Sequence, residues 1–330
     1  MPVRIYTERP LMVVHNRPAD RVPGFVLVIV LWLIALLTIM AMGLAYTSRQ
    51  SVRSMGGLVA GSQARYLAEG GVQLVLMNLL SRQAEDRLLG DGEIVIMDLP
   101  GGVVEIVVND ESGKIDINTA SSELLARLFA SFDLPQEEAD ALADAVVDYR
   151  DEDHLLGLNG AEDEQYFSAG LSWEAKDSAF THVDELQQVY GMPLWLFNAV
   201  VSHVTIYSRS KGINPQVAPL SVLLALSDEP PTILESYIEQ RRENHLAGLA
   251  LPPPPVIDSQ FLSRARGGTF TITALGKTPS NHQSAITTTV RLKRDMGRET
   301  IETLSWMPSR LHALDVRGER DSLPPENELK

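Results

Sequence analysis

Between Phe25 and Tyr46 the chain holds 22 consecutive residues without a charge. As a helix rising about 1.5 Å per residue, the run extends roughly 33 Å, which matches a bilayer hydrocarbon core of about 30 Å. A cleaved secretory signal has a shorter apolar core, about 7–15 residues, followed by a small-residue cleavage site. Here the run is longer, and no clear Ala-x-Ala pattern follows it. Ahead of it, Arg4, Arg9, Arg17 and Arg21 stand against Glu8 and Asp20. That bias predicts a single-pass segment with its N-terminus in the cytoplasm and its C-terminal body exported.

The remaining chain is long enough, at 330 residues and 45% hydrophobic, for two domains or for one domain carrying a large insertion. Its formal charge of −15 repels phosphate backbones and suits divalent cations or basic partner surfaces. With no cysteine, disulfides, thiolate metal sites and cysteine nucleophiles are excluded, while the compartment is left open.

Helical spacing does not stop at Tyr46. From Arg49 to Leu89, apolar residues recur at Leu58, Tyr66, Leu67, Val72, Val75, Leu76, Leu79 and Leu80, which predicts an amphipathic stem. Gly56, Gly57 and Gly61 punctuate its first half. Gly24 immediately precedes the apolar run and Phe25 begins it. Basic leader, glycine, phenylalanine, apolar helix and amphipathic continuation together resemble the class III signal of type IV pilins and pseudopilins. The resemblance implies that a prepilin peptidase cuts between Gly24 and Phe25. That cut removes a net +2 and takes the chain from −15 to −17. Most pilins carry a glutamate five residues into the mature chain; here that position is Ile29.

Beyond the stem, Glu93–Asp98 and Val103–Val108 alternate around Pro100-Gly101-Gly102, a hairpin pattern. Helical patterns dominate from about Thr119 to Asn244, broken by an acidic loop at 151–172. Pro252 to Pro255 reads as a stiff connector. Strand patterns return at Thr269–Ala274, Ala285–Arg294 and Glu299–Trp306. The expected fold is therefore α+β. A long N-terminal hydrophobic helix packs on an antiparallel pseudopilin-like sheet, and a large α-helical domain of helix-hairpin-helix or SAM-like type is inserted in that sheet. The expected organisation is a leader at 1–24, a transmembrane or filament-core helix at 25–46, and stem plus first strands at 47–118. The inserted α-domain follows at 119–260, terminal strands at 261–316 and a disordered, charged tail at 317–330.

Within the helical block, Lys114–Leu125 reads as a short strand entering a capped helix, and Gly212–Leu224 is a weaker echo about 98 residues later, a candidate internal duplication. The first copy looks like the opening of helix-hairpin-helix domains, so a membrane-anchored DNA-binding or uptake protein is the alternative function. DNA-binding versions carry a Gly-x-Gly whose N–H groups hold phosphate. The corresponding Phe132–Asp140 has no glycine, lacks a donor at Pro135 and contributes four acids. This argues against nucleic acid as a partner.

The most chemically loaded stretch is Asp148–His154 followed by Gly160–Glu164. Clustered oxygen donors suit Ca²⁺, although the EF-hand phasing is absent; a solvated acidic loop has the same composition. His154, His182 and His203 lack the spacing of a zinc hydrolase, with His182 expected near a helix start. Gly276-Lys277-Thr278 lacks the upstream glycine of a phosphate loop, since Thr271 stands there, and reads as a turn between strands. Val183–Tyr190 and Leu194–Val200 read as core packing. No enzyme motif emerges.

In order, these features resemble the general secretion pathway protein K family, the minor pseudopilin K of type II secretion systems. Its members lack the usual glutamate and carry an inserted α-domain. The resemblance implies calcium bound in the acidic segment, where Asp148, Asp151, Asp153, Glu162 and Asp163 match the family's acids. It also implies an inner-membrane, single-pass protein with a periplasmic body at the tip of a pseudopilus that assists export of folded proteins. The implied partners are minor pseudopilins I, J and H, major pseudopilin G, the prepilin peptidase and the inner-membrane secretion platform.

Overall fold

The computed structural model describes residues 23–81, 87–264, 267–295 and 298–309. The expected leader up to Val22 and the expected tail at 317–330 lie outside the described residues.

Helix α1 spans Pro23–Leu79, so the glycines at 56, 57 and 61 do not interrupt it. The chain divides after Leu58 into two units, and α1 contributes to both. In the first unit α1 is long and apolar enough to cross a membrane. Its large side chains, from Phe25 through Tyr46, are all exposed. The hydroxyls in this segment are satisfied within the helix: Thr38 donates to the Ile34 carbonyl at 2.7 Å and Thr47 to that of Gly43 at 3.0 Å. Such back-bonding lets a polar side chain sit in an apolar environment.

In the second unit, the final turns of α1 bury Ala64, Leu67, Ala68, Val72, Val75 and Leu79. This i, i+3, i+4 stripe is one helical face. Leu58 and Tyr66, expected to share it, are 73% and 71% exposed, and the helix stops ten residues before Leu89. The two alanines were invisible to a search for large apolar residues, yet they set how closely the sheet approaches.

That sheet has five strands, all antiparallel, in the order β1-β2-β5-β6-β7. β1 is Asp91–Leu99 and β2 Gly102–Asp110; β5 is Thr269–Lys277, β6 Gln283–Asp295 and β7 Arg298–Ser309. The hairpin turn is at Pro100-Gly101, with Gly101 at φ +98°. Val104, Ile106, Val108, Phe270, Ile272, Ala274, Ile286 and Val290 alternate toward α1 and form one core with it. Each fully buried Val, Leu or Ile contributes about 1.5–3 kcal/mol. Gly276 permits the contact: a Cβ there would lie 2.1 Å from the Ala64 carbonyl oxygen. The glycine and lysine of the apparent phosphate-loop sequence are therefore the end of β5, under the helix. A bulge at Leu304 shifts the β6–β7 register.

Between β2 and β5, which pair directly, a helical insert is spliced. After a 3₁₀ turn at Glu111–Gly113 it opens with β3, Ile115–Asp116. It continues with α2 (Ser122–Ala130), α3 (Gln136–Arg150), α4 (Asp163–Ser168) and α5 (Leu194–Val200). It closes with β4 (Val204–Thr205), α6 (Leu220–Leu226) and α7 (Pro231–Leu246). β3 pairs in parallel with β4, which joins Ile115–Asp116 to the insert. Both Ile-Asn echoes open a helical hairpin, α2–α3 and α6–α7. Ser121 caps α2 by accepting from the Leu124 N–H. Leu124, Leu125, Leu128, Val146, Leu196, Val222, Leu223 and Leu234 anchor a second core, separate from that of the sheet. Leu194 and Trp195, read as core, are 65% and 53% exposed at the start of α5. Pro252 and Pro255 of the connector are buried while Pro253 and Pro254 face solvent.

A buried ion pair ties insert to sheet. Arg241 of α7, fully buried, donates to Asp91 of β1 at 2.9 Å and to the carbonyls of Pro215 and Ala218 at 2.8 and 3.0 Å. Arg242 donates to the same carboxylate at 2.7 Å. Burial alone would raise the Asp91 pKa, but the hydrogen bond from Arg242 and both guanidinium charges hold it below the ordinary carboxylate range.

Candidate cation site in the acidic loop

Helix α3 ends at Arg150, and the acids at its end cannot all be solvated. Asp148 is buried. Its Oδ2 accepts from the Gly157 N–H at 3.0 Å, and the Ala161 N–H also points to it. The loop 157–161 therefore wraps the carboxylate. Gly160 is what lets it do so, because a Cβ there would fall 1.9 Å from Oδ2. Asp144, one turn earlier, holds the same loop by accepting from Asn159 N–H at 3.3 Å. The adjacent cation offsets the cluster only in part: its charge favours ionised Asp151, but Arg150 turns inward and donates to the carbonyls of Ile117 and of Ala120, the latter at 2.6 Å.

Glu162, just before α4, is only 7% exposed, and neither carboxylate oxygen has a hydrogen-bond partner. Burial first, then the charges of Asp148, Asp151 and Asp177, push its pKa up to about 7. Asp151 has one buried oxygen without a partner and is likewise raised, by burial and by Asp153 and Asp148. Asp153 is exposed, with Oδ1 accepting from the Leu155 N–H at 2.8 Å. Asp163 accepts from the Ala175 N–H at 3.2 Å, and its ligand atom lies within 4.8 Å of those of His154 and Asp177.

Asp177 is the residue that sequence reasoning missed. Lys176 N–H donates to the Tyr149 carbonyl at 3.2 Å, returning the 171–180 segment to the end of α3. Asp177 then adopts φ +52°, with one buried oxygen lacking a partner and the other 3.6 Å from His154 Nδ1. Its flanks, Lys176 and Ser178, carry no motif; only the tolerance of aspartate for left-handed backbone fits the position.

Three carboxylates with buried, unpartnered oxygens, facing one another with mutual repulsion, form a donor set for a hard cation. Calcium takes six to eight oxygens, including carbonyls and water, so the residues fit it. Among the described residues, His154 adds a nitrogen donor at the rim. The histidine at 182 precedes a 3₁₀ turn, Val183–Gln188, and Glu185 there pairs with Lys176 at 2.6 Å. His203 is buried beside Phe132, and burial pushes its pKa down to about 4.

The other surface weighed from sequence, the α2–α3 connection, does not offer phosphate a nest. The N–H groups of Phe132 and Asp133 are spent on the carbonyls of Phe129 and Ala130. The equivalent α6–α7 connection is Ser227-Asp228-Glu229-Pro230, acidic as well, with Asp228 paired to Arg127.

Comparison with known proteins gives concordant results. The profile of type II secretion system (T2SS), protein K, matches residues 103–209, which cover β2 and most of the insert. Type II secretion system protein K of Pseudomonas aeruginosa is 26% identical over 243 residues, 66% of this chain and 72% of that protein. The protein of the same name from Dickeya chrysanthemi is 31% identical over 111 residues, 32% of this chain and 30% of its own length. The crystal structure of the GspK-GspI-GspJ complex from enterotoxigenic Escherichia coli shares the fold. Its TM-score is 0.50 at 16% identity, covering 80% of this chain and 99% of that one.

An apolar N-terminal helix, an antiparallel sheet on its continuation and a helical insert in that sheet make up the fold shared with the matching chain of that complex. Over β2 and most of the insert the chain matches the protein K family of type II secretion systems, and the two similar proteins carry that name.

Proposed function

We propose that this chain caps the tip of a periplasmic pseudopilus and assists the export of folded proteins through the outer membrane. The observation that carries this reading is the insert between β2 and β5. A subunit of an open helical assembly must accept neighbours on both sides. More than a hundred residues spliced between two paired strands add bulk that a repeating position accommodates poorly and a terminal one tolerates. Ile29 supports the same position, because a terminal subunit has no further neighbour whose amine needs an acid. The named K–I–J complex of the structural neighbour makes pseudopilins I and J the first partners to test. Pseudopilins H and G, a prepilin peptidase acting between Gly24 and Phe25, and an inner-membrane platform complete the proposed system.

Calcium is the proposed ligand of the acidic loop, held by Asp148, Asp151, Glu162 and Asp177, with Asp153 and Asp163 at its margin. It would supply the positive charge that the buried carboxylates lack and fasten the 151–162 loop and the 171–180 segment to the end of α3.

The test is co-expression of the full chain with pseudopilins I and J, a prepilin peptidase and affinity capture. The expected result is a stable complex in which intact mass shows this chain beginning at Phe25. A chain that retains its leader and does not copurify with I and J would sink the reading.

A further inference from the structure

The part of α1 that follows the apolar run has a charge pattern used by neither core. From Thr47 to Ala68 there are three arginines and no acid, whereas from Glu69 onward the chain has 41 acids against 21 bases. Arg65 is neutralised by Glu69 at 2.9 Å. Arg49 and Arg53 are exposed and, among the described residues, have no ion-pair or hydrogen-bond partner. Spaced four apart, they share one face of the helix, where like charges disfavour it. On the exported side of a membrane, arginines next to a spanning segment also oppose the usual charge bias. Two physical costs at one place call for a compensating anion.

Position identifies it. Arg49 and Arg53 lie three and seven residues beyond Tyr46, about 4.5 and 10.5 Å along the helix. The headgroup layer on each side of a bilayer is roughly 5–7 Å deep, and arginine side chains reach back toward it. Thr47, Ser48, Gln50, Ser51 and Ser54 surround the pair with short polar groups. A guanidinium fork matches phosphate oxygens in pairs. We infer that Arg49 and Arg53 form a binding site for the phosphate headgroups of anionic phospholipids at the exported surface, which fixes the depth of the helix in the bilayer. This rests on the membrane-anchored reading above.

The test uses the full chain reconstituted in nanodiscs of equimolar phosphatidylcholine and phosphatidylglycerol, then extracted in mild detergent, with the co-retained lipid quantified by mass spectrometry. The wild type is expected to retain phosphatidylglycerol over phosphatidylcholine, with about fivefold preference per arginine. R49Q/R53Q should fall to the ratio supplied, and R65Q should behave as wild type. Equal retention by wild type and R49Q/R53Q, or no enrichment in the wild type, overturns the proposal. So does a double variant that keeps its lipid but loses binding to the acidic body of a second pseudopilin. Alkaline carbonate extraction separates the two levels: a chain released from the membrane fails the anchored reading itself, whereas a retained chain without lipid preference fails only this one.

Discussion

Glu162 concentrates the chemistry of the acidic loop: a carboxylate buried against three others, with no donor for either oxygen. Its replacement by glutamine should therefore change sign with conditions. In EGTA, E162Q is expected to melt above the wild type, because a repelled charge has been removed. In millimolar calcium the order should reverse, since a ligand at a hundred times its Kd stabilises by about 2.7 kcal/mol and the variant forgoes it. Differential scanning fluorimetry reads both; an unchanged order would return the loop to an ordinary acidic surface. His203 supplies an acid-sensitive counterpart. Its pKa falls from 6.5 to about 4 on folding, so between those values the unfolded chain holds the extra proton. Stability from this residue is complete above pH 6.5 and is lost as pH falls through the window, by about 3 kcal/mol. Urea midpoints at pH 7 and pH 4 should differ less in H203Q than in the wild type. Sequence alone displayed Asp148, Asp151, Asp153, Glu162 and Asp163, because they lie in one short acidic stretch around the Gly160 turn. It hid Asp177, whose approach depends on a single backbone hydrogen bond from Lys176 to Tyr149.

Among the elements, those with a strict period were legible. β1 and β2 alternate around a glycine turn, and β5 to β7 recur where alternation returns, because each has one face on α1 and the other away from it. The lower half of α1 was legible only in part. Its contact face is built as much from Ala64, Ala68 and Gly71 as from leucines, and the pattern of large residues alone overran its end. The tie between α7 and β1 had no signature either, since Asp91 and Arg241 are 150 positions apart. That tie should be costly to cut. R241M leaves Asp91 buried with Arg242 alone and takes the Arg241 donor from the Ala218 carbonyl, while the Pro215 carbonyl keeps the Tyr237 hydroxyl; a loss of about 3 kcal/mol is expected by chemical denaturation. A variant as stable as wild type would show that Arg242 suffices.

For the molecule as a whole, the order of features told more than any one of them: basic N-terminal stretch, glycine, apolar helix, hairpin, acidic insert, closing strands. What order could not give was how the insert attaches. Asp110 and Phe270 face each other across β2 and β5, so the chain leaves the sheet and rejoins it within one strand spacing, about 4.8 Å. The insert thus leaves and rejoins the sheet through two adjacent threads, with the ion pair of Arg241 and Arg242 with Asp91 as a further tie, and the five strands form an uninterrupted meander without it. Replacing residues 111–268 by a short turn should leave a chain that folds with its sheet signal intact by circular dichroism, while Asp91, no longer covered by α7, is free to meet water. Loss of the sheet in that excised chain would mean that the insert is a structural partner of the strands rather than a passenger. Retention would mean that helix and sheet stand on their own and that the insert is a removable piece.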